Sequence, residues 1–222
     1  MSASTMDVTA ASVSAAVECL RQGQIVIVPT QRWYLVCCDA RRQDLVQAIH
    51  AAKQRPVDRP LLLLMPDVAT IRALFRISHE TGLLVDRLLP GEMTLLLTWR
   101  DPEQQSRYIS ASAGETLVSC APGILGEICA RFGAPIGCTS ANVSGPAAPQ
   151  GAGPSISFEE VTSFVASSGL HVALALDGGL CPNFQPTTIV DAQDSTPTPT
   201  ITRPGYVHSR AIECALQDRK TT

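Results

Sequence analysis

The stretch Gly137–Gly145 reads GCTSANVSG and follows the apolar run Ala134–Ile136, which predicts the end of a buried strand. Ser140, Asn142 and Ser144 then alternate along the chain. Alternate residues of an extended segment point to the same side, so two hydroxyls and an amide would lie together at a strand end. Open α/β sheets place ligands there. A polar turn that simply closes a strand uses the same residue types, so both interpretations stay open on this pattern alone.

A second polar stretch, Lys53–Pro60, reads KQRPVDRP and separates a predicted helix, Asp44–Ala52, from a predicted buried strand, Leu61–Met65. Proline does not continue a helix, so the stretch is predicted to be a loop. A lysine ammonium and an arginine guanidinium suit phosphate, which makes Lys53 and Arg55 candidates for anion capture. A solvated charged loop is the alternative. In either case neither residue is expected to carry core packing.

Apolar runs and helical periodicity alternate along the chain. Strands are predicted at Gln24–Pro29, Leu35–Cys38, Leu61–Met65, Thr94–Trp99, Glu115–Cys120, Pro135–Ser140, His171–Leu176 and Thr187–Asp191. Helices are predicted at Asp7–Leu20, Asp44–Ala52, Asp67–Leu74, Glu80–Leu89, Gly123–Phe132, Ser157–Ala166 and Ser209–Leu216. Met1–Met6 is expected to be frayed, and Asp101–Ala113 and Pro146–Pro154 are expected to be loops. The alternation predicts an α/β fold, and the strands around Thr94–Cys120 favour a mixed sheet.

Length and charge limit the broad class of the protein. The chain has 222 residues, 45% hydrophobic and 17% charged residues and a net charge of −3. Such a chain can bury a full core, and we expect a single domain, 1–222, with its core at about 12–206, a short polar N-terminus and a C-terminal helix and tail. A net negative charge gives no global attraction to nucleic acid or to an anionic membrane, so any anion site must be local.

The eight cysteines are scattered and form no CxxC pair. They are expected to be reduced thiols without a bound metal. The N-terminal segment has no signal-peptide pattern, and no apolar run approaches the ~20 residues that span a bilayer. We therefore expect a cytoplasmic protein that does not contact membranes. The chain also lacks a P-loop, a GxGxxG turn, an HExxH motif and a GxSxG elbow.

Six short motifs follow one another in an order that resembles the YrdC-like threonylcarbamoyladenylate synthases. They are Pro29-Thr30 with Tyr34, Lys53-Gln54-Arg55, Pro90-Gly91-Glu92-Met93-Thr94, Ser140-Ala141-Asn142-Val143-Ser144-Gly145, Thr188-Ile189-Val190-Asp191 and Arg203-Pro204-Gly205. Each motif is weak alone, and the resemblance rests on their order and on their places near strand ends. It implies a twisted, mixed α/β sheet with helices on its faces and a large concave cavity lined by positive charge.

The resemblance also implies a reaction, in which ATP, L-threonine and bicarbonate give threonylcarbamoyladenylate and pyrophosphate. The product would serve the threonylcarbamoyl modification of adenosine in tRNA. Mg²⁺ would accompany ATP, held largely by phosphates and water. Partner proteins of tRNA modification and weak RNA binding are implied as well.

The resemblance assigns roles to individual residues. Lys53 and Arg55 would be catalytic and would hold the triphosphate and the carbamate. The implied ATP-binding residues are Lys53, Arg55, Thr139, Ser140, Asn142, Thr188 and Arg203, of which Ser140 and Asn142 would bond phosphate oxygens and Arg203 would lie near the α-phosphate. The implied amino-acid-binding residues are Thr30, Arg32 and Tyr34.

The chain departs from the family pattern in its amino-acid half. The family's Pro-Thr-Asp/Glu-Thr-x-Tyr-Gly-Leu reads PTQRWYLV here, with Gln31, Arg32 and Leu35 at the changed positions. An arginine of the family becomes Cys120, and a proline becomes Glu92. We predict that Leu35 adds bulk to the threonine pocket and that Arg32 adds a charge, which makes Arg32 a candidate to replace the charge lost at Cys120. Weaker use of L-threonine is the expected result.

Three functional interpretations follow. The first is synthesis of a carbamoyl-type adenylate with threonine as the amino acid. The second is the same nucleotide chemistry on another acceptor or carbamoyl donor, such as carbamoyl phosphate. The third is a catalytically inactive relative that binds nucleotide or RNA. Pyrophosphate release with a panel of amino acids separates the first two, and binding without release indicates the third.

Overall fold

A ten-stranded sheet runs through the part of the chain that the computed structural model describes, residues 3–56, 59–108, 115–144 and 153–217. The strands are Ser4–Asp7 (β1), Val26–Pro29 (β2), Tyr34–Asp39 (β3), Leu62–Leu64 (β4), Met93–Thr98 (β5), Glu115–Ser119 (β6), Ile136–Ser140 (β7), Leu174–Asp177 (β8), Thr188–Asp191 (β9) and Thr200–Arg203 (β10). Within the same ranges the helices are Ala10–Arg21 (α1), Gln43–Ala52 (α2), Val68–Leu74 (α3), His79–Leu88 (α4), Pro102–Arg107 (α5), Gly123–Phe132 (α6), Phe158–Ser168 (α7) and Ser209–Leu216 (α8).

The sheet is mixed, with the strand order β1-β8-β2-β3-β7-β4-β6-β5-β9-β10. Parallel pairs join β1 to β8, β2 to β8, β4 to β6 and β5 to β9. The other neighbours are antiparallel, including β5 and β6. The mixed α/β prediction is therefore confirmed.

The two ends of the chain belong to the fold more fully than the sequence indicated. Ser4–Met6, expected to be frayed, and Asp7, expected to begin a helix, form the edge strand β1 and pair with Leu174–Asp177. An edge strand bonds one neighbour only and leaves one side to water, so its polar residues give no periodic signal. At the other end Ile212 and Ala215 of α8 are buried in the core that contains α4. The core is thus wider than 12–206.

The predicted loop Asp101–Ala113 is also partly wrong, because Pro102–Arg107 forms the short helix α5. Asp101 caps it by accepting a hydrogen bond from the Glu103 N–H at 2.9 Å, and Pro102 suits the first helical position. The predicted loop Pro146–Pro154 lies outside the described residues except for its last two, as does Gly145 of the opening stretch.

Strand β7 lies in the middle of the sheet between β3 and β4. Its residue Cys138 faces Cys37 across one neighbour and Leu62 across the other. The chain leaves β7 at Ser140 and is held to the start of β3, because the Ala141 N–H donates to the Tyr34 carbonyl at 2.9 Å. The sheet thereby fixes the turn at residues 140–144.

Candidate active site

Lys53 fastens the 140–144 turn to the end of α2. Its Nζ donates to the backbone carbonyls of Ser140 and Asn142, both at 2.5 Å, and to Asn142 Oδ1 at 3.2 Å. Its own carbonyl accepts from the Ser144 N–H at 2.8 Å. These four contacts form what we call the lysine clamp: Lys53 with Ser140, Asn142 and Ser144.

The expectation that Lys53 carries no core packing is wrong. Its exposed fraction is 0%. The residue caps the C-terminal end of α2, where its N–H donates to the Ile49 carbonyl at 3.0 Å. The side chain is fully buried, and its Nζ lies 5.9 Å from the centre of the Phe164 ring.

Burial, together with the positive charge of Arg55, lowers the pKa of the Lys53 ammonium to about 7. The three oxygen acceptors around Nζ act in the opposite direction, because hydrogen bonds to the charged form favour it. All three acceptors are neutral. Lys53 therefore brings an uncompensated positive charge, whenever it is protonated, to the end of the central strand.

Ser140 and Asn142 lie together, as their spacing predicted. The Ser140 hydroxyl donates to Asn142 Oδ1 at 2.6 Å, and Asn142 Nδ2 donates to the Val143 carbonyl at 2.9 Å. Thr139 is half-buried and pairs with Val36 in β7. Because side chains alternate along a strand, Thr139 points to the opposite face from Ser140. The structure thus separates Thr139 from the clamp.

Arg55 lies in the adjoining loop and bonds that loop internally. Its Nε donates to the Arg59 carbonyl at 2.9 Å, and Nη2 donates to the Pro60 carbonyl at 3.0 Å. Burial and the charge of Arg59 lower its pKa. Arg55 is close enough to affect the pKa of Lys53, so the two cations of the KxR motif share one electrostatic environment.

Arg32 forms the second buried charge of the region. Its Nη1 contacts Oε2 of Glu92, and the exposed fraction of the arginine is only 7%. Burial, together with the neighbouring charge of Arg203, lowers the pKa of Arg32 to about 10. The guanidinium carbon lies 5.5 Å from the centre of the Trp33 ring.

The pairing of Arg32 with Glu92 revises the idea that Arg32 replaces the charge lost at Cys120. The Gly91 N–H donates to the Cys120 carbonyl at 2.9 Å, which places Glu92 at the end of β6 beside Cys120. Arg32 does approach that strand end, but the charge it adds is balanced by Glu92. Two departures from the family pattern therefore compensate each other.

Thr30 and Tyr34 shape the loop between β2 and β3. The Thr30 hydroxyl donates to the Trp33 carbonyl at 2.7 Å and accepts from the Arg32 N–H at 3.1 Å. The Tyr34 hydroxyl donates to the Gly179 carbonyl at 2.7 Å, and burial raises its pKa to about 12. Both side chains are engaged within the protein, so their role in amino-acid binding stays a prediction.

Leu35 does not enter a pocket, contrary to expectation. Its exposed fraction is 6%, and it packs in the core cluster that contains Cys37, Cys138 and Leu125. The added bulk of leucine is therefore accommodated between the sheet and helices α1 and α6. Any change in the amino-acid pocket must come from other residues.

Arg203 and Thr188 come from the last two strands. Arg203 Nη2 donates to the Thr187 carbonyl at 2.9 Å and to the Thr187 hydroxyl at 3.0 Å, and its charge reaches Arg32. The Thr188 hydroxyl donates to the Val207 carbonyl at 2.7 Å and is fully buried. Arg203 thus joins the cationic region, whereas the proposed contact of Thr188 with ATP stays a prediction.

Two cavities flank these residues. One has a volume of about 330 Å³ and is lined by Arg32, Glu92 and the start of α6, among others. The other, of about 730 Å³, is lined by Trp33 and Asn142 and by side chains of α7. Lys53 and Arg55 line neither of these two cavities. The single large concave cavity of the sequence analysis stays a prediction.

Glu92 and the start of α6 are the parts of this region to which the sequence analysis gave no role. Glu92 was recognised only as a departure from the family pattern. One signal was available in the sequence: Glu92 and Arg32 both replace uncharged residues in the amino-acid half of the family pattern. Their pairing is a tertiary contact between the β2–β3 loop and the residue before β5, although four strands separate β2 from β5 in the sheet.

Among the described residues no group of three histidine, cysteine or acidic side chains could chelate a metal ion. All eight cysteines are free thiols, and burial raises the pKa of most of them, including Cys37 and Cys138. No helix in the described ranges is long and apolar enough to cross a membrane.

Comparison with known proteins gives consistent similarities. A family described as telomere recombination, Sua5_yciO_yrdC, matches residues 18–205. A threonylcarbamoyl-AMP synthase of Bacillus subtilis (strain 168) is 28% identical over 207 residues, which cover 92% of this chain and 56% of that protein. A protein of the same name from Pseudoalteromonas translucida (strain TAC 125) is 29% identical over 189 residues, covering 82% of this chain and 94% of that protein.

Among solved structures, the P. abyssi Sua5 complex with L-threonine superposes with a TM-score of 0.78 and 24% identity. The likeness covers 96% of this chain and 60% of that one, and at this identity it shows the fold alone. The chain therefore spans little more than half the length of the Bacillus protein and of Sua5, but nearly the whole length of the Pseudoalteromonas protein.

Proposed function

The chain belongs to the Sua5, YciO and YrdC family, and from that premise we propose that it condenses ATP, L-threonine and bicarbonate into threonylcarbamoyl-AMP and pyrophosphate. The names of its relatives support this proposal. So does the L-threonine bound to a Sua5 protein of the same fold.

The observation that carries the proposal is the lysine clamp. The Lys-x-Arg motif and the Ser-x-Asn-x-Ser motif are far apart in the sequence. Lys53 nevertheless contacts Ser140 and Asn142, which follow it by 87 and 89 residues. The contact places a buried cation, a hydroxyl and an amide at the end of a central strand. Such a group suits the oxygens of a polyphosphate.

In the proposed reaction the amino group of L-threonine adds to bicarbonate with loss of water and gives a carbamate. An oxygen of the carbamate attacks the α-phosphorus of ATP, and the bond to pyrophosphate breaks. Lys53, Arg55 and Arg203 would stabilise the charge on the phosphates, and the fold would position the two reactants. No protein nucleophile is required, because the carbamate itself is the nucleophile.

Mg²⁺ would enter as the counter-ion of ATP, since it is commonly held by phosphates, water and one or two carboxylates. The adenylate would pass to partner proteins that transfer the threonylcarbamoyl group to adenosine of tRNA, with weak RNA binding at most by this chain. We also propose a cytoplasmic location and a single domain.

A second candidate is the same adenylate chemistry on another acceptor or carbamoyl donor. The Arg32–Glu92 pair favours it, because a charged pair stands where the family pattern has an uncharged threonine and a proline. A buried charge pair changes selectivity more than a methyl group, which alters it by roughly 1–3 kcal/mol.

The test is pyrophosphate release by the purified chain with MgATP, bicarbonate and each of a panel of amino acids. We expect release that requires all three substrates and is fastest with L-threonine. Faster release with another acceptor would favour the second candidate. ATP or RNA binding without any release would contradict both and indicate an inactive relative.

A further inference from the structure

The sheet has two edge strands, β1 and β10, and only one of them is protected against pairing with another strand. Strand β10 lies between Pro199 and Pro204, and its register with β9 shifts between Ile201 and Arg203. Prolines and bulges hinder an edge strand from pairing with another chain. Strand β1 has neither feature, because it contains no proline and pairs with Leu174–Asp177 in unbroken register. Its outer side is therefore a regular edge that another strand can join.

Thr5 carries the free backbone groups of this edge. The Ser4 N–H donates to the Ala173 carbonyl at 3.2 Å, so the backbone of Ser4 faces β8. Successive residues of a strand direct their N–H and C=O groups to opposite sides, so those of Thr5 point away from β8. No strand lies beyond β1 in the described sheet. Both backbone groups of Thr5 are therefore free to bond to an added strand.

A cavity of about 510 Å³ lies beside the same edge. Thr5 and Ala175 line it from the sheet, and Val161, Val165 and Leu170 line it from helix α7 and the residues after that helix. Residues at matching positions of neighbouring strands share a face of the sheet, so a residue that pairs with Thr5 points its side chain into this cavity. The wall is mostly apolar, so an apolar side chain is favoured at that position.

Two carboxylates lie further along the same edge. Asp7 pairs with Asp177 in the register of β1 and β8, and like charges at such opposed positions repel each other. Because side chains alternate along a strand, Asp7 shares a face of the sheet with Thr5. Neither carboxylate takes part in an ion pair within the described ranges. A cation on an added strand, placed beside Asp7, would therefore relieve this repulsion.

The elements that form this edge supply no such cation. Residues 1–20 and 132–202 contain no lysine or arginine, and β1, β8 and α7 lie entirely within these ranges. A second copy that paired through its own β1 would bring further aspartates to the edge, and RNA would bring phosphates. Both are disfavoured by like charge, whereas a basic segment of another protein is favoured.

We propose that β1 and the cavity beside α7 form a docking site for a partner protein that adds one short strand to the sheet. Backbone bonds to Thr5 supply affinity, an apolar side chain enters the cavity, and a lysine or arginine lies beside Asp7 and Asp177. Strand addition of this kind combines backbone pairing with side-chain pockets. The cavity shares no lining residue with the lysine clamp, so the proposal does not depend on the proposed function.

The test uses the capped peptide Thr-Val-Thr-Val-Thr-Lys-Thr, in which the valines and the lysine share one face of an extended chain. It is titrated into the ¹⁵N-labelled full chain and followed by NMR. We expect the amide resonances of β1 and of the cavity wall to shift. The same peptide with glutamate in place of lysine should bind at least about tenfold more weakly. Absence of binding by the lysine peptide, or equal binding of the two peptides, would overturn the proposal.

Variants of the chain locate the binding. Thr5→Pro removes the outward N–H but no bond to β8, and edge strands tolerate proline at such a position. It should keep the melting temperature and weaken binding of the lysine peptide at least about tenfold. Asp7→Asn should weaken binding about three- to tenfold. The matched control is Asp86→Asn, which removes an exposed carboxylate from the ion pair with Arg72 and should change nothing.

A further variant tests the cavity without altering β1. Ala166→Gln extends a longer side chain from an exposed position of α7 that lines the cavity, and it should also weaken binding of the lysine peptide. Undiminished binding by either Thr5→Pro or Ala166→Gln would overturn the proposal. A dimer of the unchanged chain that Thr5→Pro abolishes, measured by sedimentation, would overturn it as well, because a second copy would then be the occupant.

Discussion

Lys53 and Arg32 are two buried cations that the fold accommodates in different ways. Lys53 donates to the neutral oxygens of Ser140 and Asn142, all within motifs that match the family pattern. Arg32 is paired with the carboxylate of Glu92, and both of these residues depart from that pattern. Lys53 reaches the end of β7 from the C-terminal end of α2, and Arg32 lies in the loop between β2 and β3.

The difference indicates two different uses of a buried charge. A protonated cation that is held by neutral oxygens has no carboxylate to cancel its charge, so it can attract a polyphosphate. A cation that is paired with a carboxylate has most of its charge cancelled, so it attracts little and instead discriminates among ligands that compete with its partner. On this account Lys53 serves binding of the nucleotide, and Arg32 with Glu92 serves selection of the second substrate.

The largest effect is expected at Lys53. Lys53→Met leaves the carbonyls of Ser140 and Asn142 without their buried donor, so we expect the free energy of unfolding to fall by about 2–4 kcal/mol. Pyrophosphate release should fall by at least about 100-fold. Chemical denaturation and steady-state release measure the two effects.

The matched control for Lys53 is Arg59→Met, which removes an exposed cation from the same loop. Its stability and turnover should stay close to those of the unchanged protein. A Lys53→Met protein with undiminished stability and turnover would show that the clamp has neither role.

The next effect separates packing from selectivity. Leu35→Ala should lower the free energy of unfolding by about 2–4 kcal/mol, because Leu35 is packed in the core. The KM for L-threonine should not change, since Leu35 lines neither cavity beside the site. A large change in KM without a loss of stability would show that Leu35 lines the amino-acid pocket after all.

The Arg32–Glu92 pair should show strong coupling in a double-mutant cycle. Arg32→Met alone leaves a largely buried carboxylate without its partner, and Glu92→Gln in the same protein removes that cost. We expect a coupling free energy of about 1–3 kcal/mol, measured by chemical denaturation. The exposed Arg72–Asp86 pair is the comparison, with a coupling below about 1 kcal/mol. Equal coupling free energies in the two pairs would mean that burial does not strengthen the interaction between Arg32 and Glu92.

The smallest effect is the pH dependence of stability that Lys53 contributes. Its pKa is about 7 in the folded protein and 10.5 in the reference state, so between these values the unfolded chain binds the extra proton. Stability therefore rises with pH in that window, by at most about 1.4 kcal/mol per pH unit, and is flat below it.

The measurement is the difference in unfolding free energy between the unchanged protein and Lys53→Met from pH 6 to pH 9. We expect this difference to shift in favour of the lysine protein as the pH rises above about 7. A difference that is constant or that shifts the other way would show that the oxygen acceptors keep Lys53 protonated throughout.

Local patterns predicted the elements with strong periodicity. The α1 stripe of Val13, Ala16, Val17 and Leu20 is buried as expected, and Gly133 ends α6 in a left-handed conformation. The edge strand Ser4–Asp7 escaped prediction because only its partner β8 defines it. Hydrophobic periodicity appears in a sequence when one whole face of an element is buried. The edge strand β1 is mostly exposed, so it has no buried face and no periodic pattern.

The sequence predicted which residues belong to the site but not which groups they contact. The alternation of Ser140 and Asn142 correctly indicated that they share a side. The burial of Lys53 was not predictable, because lysine beside prolines is typical of an exposed loop and the inward direction follows from the end of α2. The pairing of Arg32 with Glu92 is a tertiary contact between the β2–β3 loop and the residue before β5, which a single sequence does not specify.

Incorporation of labelled bicarbonate tests the central claim most directly. The full chain is incubated with MgATP, L-threonine and ¹³C-bicarbonate. The products are separated, and their masses are measured by mass spectrometry. The account predicts a threonylcarbamoyl-AMP that carries one ¹³C atom, formed in equal amount to pyrophosphate and absent from the Lys53→Met reaction. Pyrophosphate release without a labelled adenylate, or a labelled product that does not contain threonine, would contradict it.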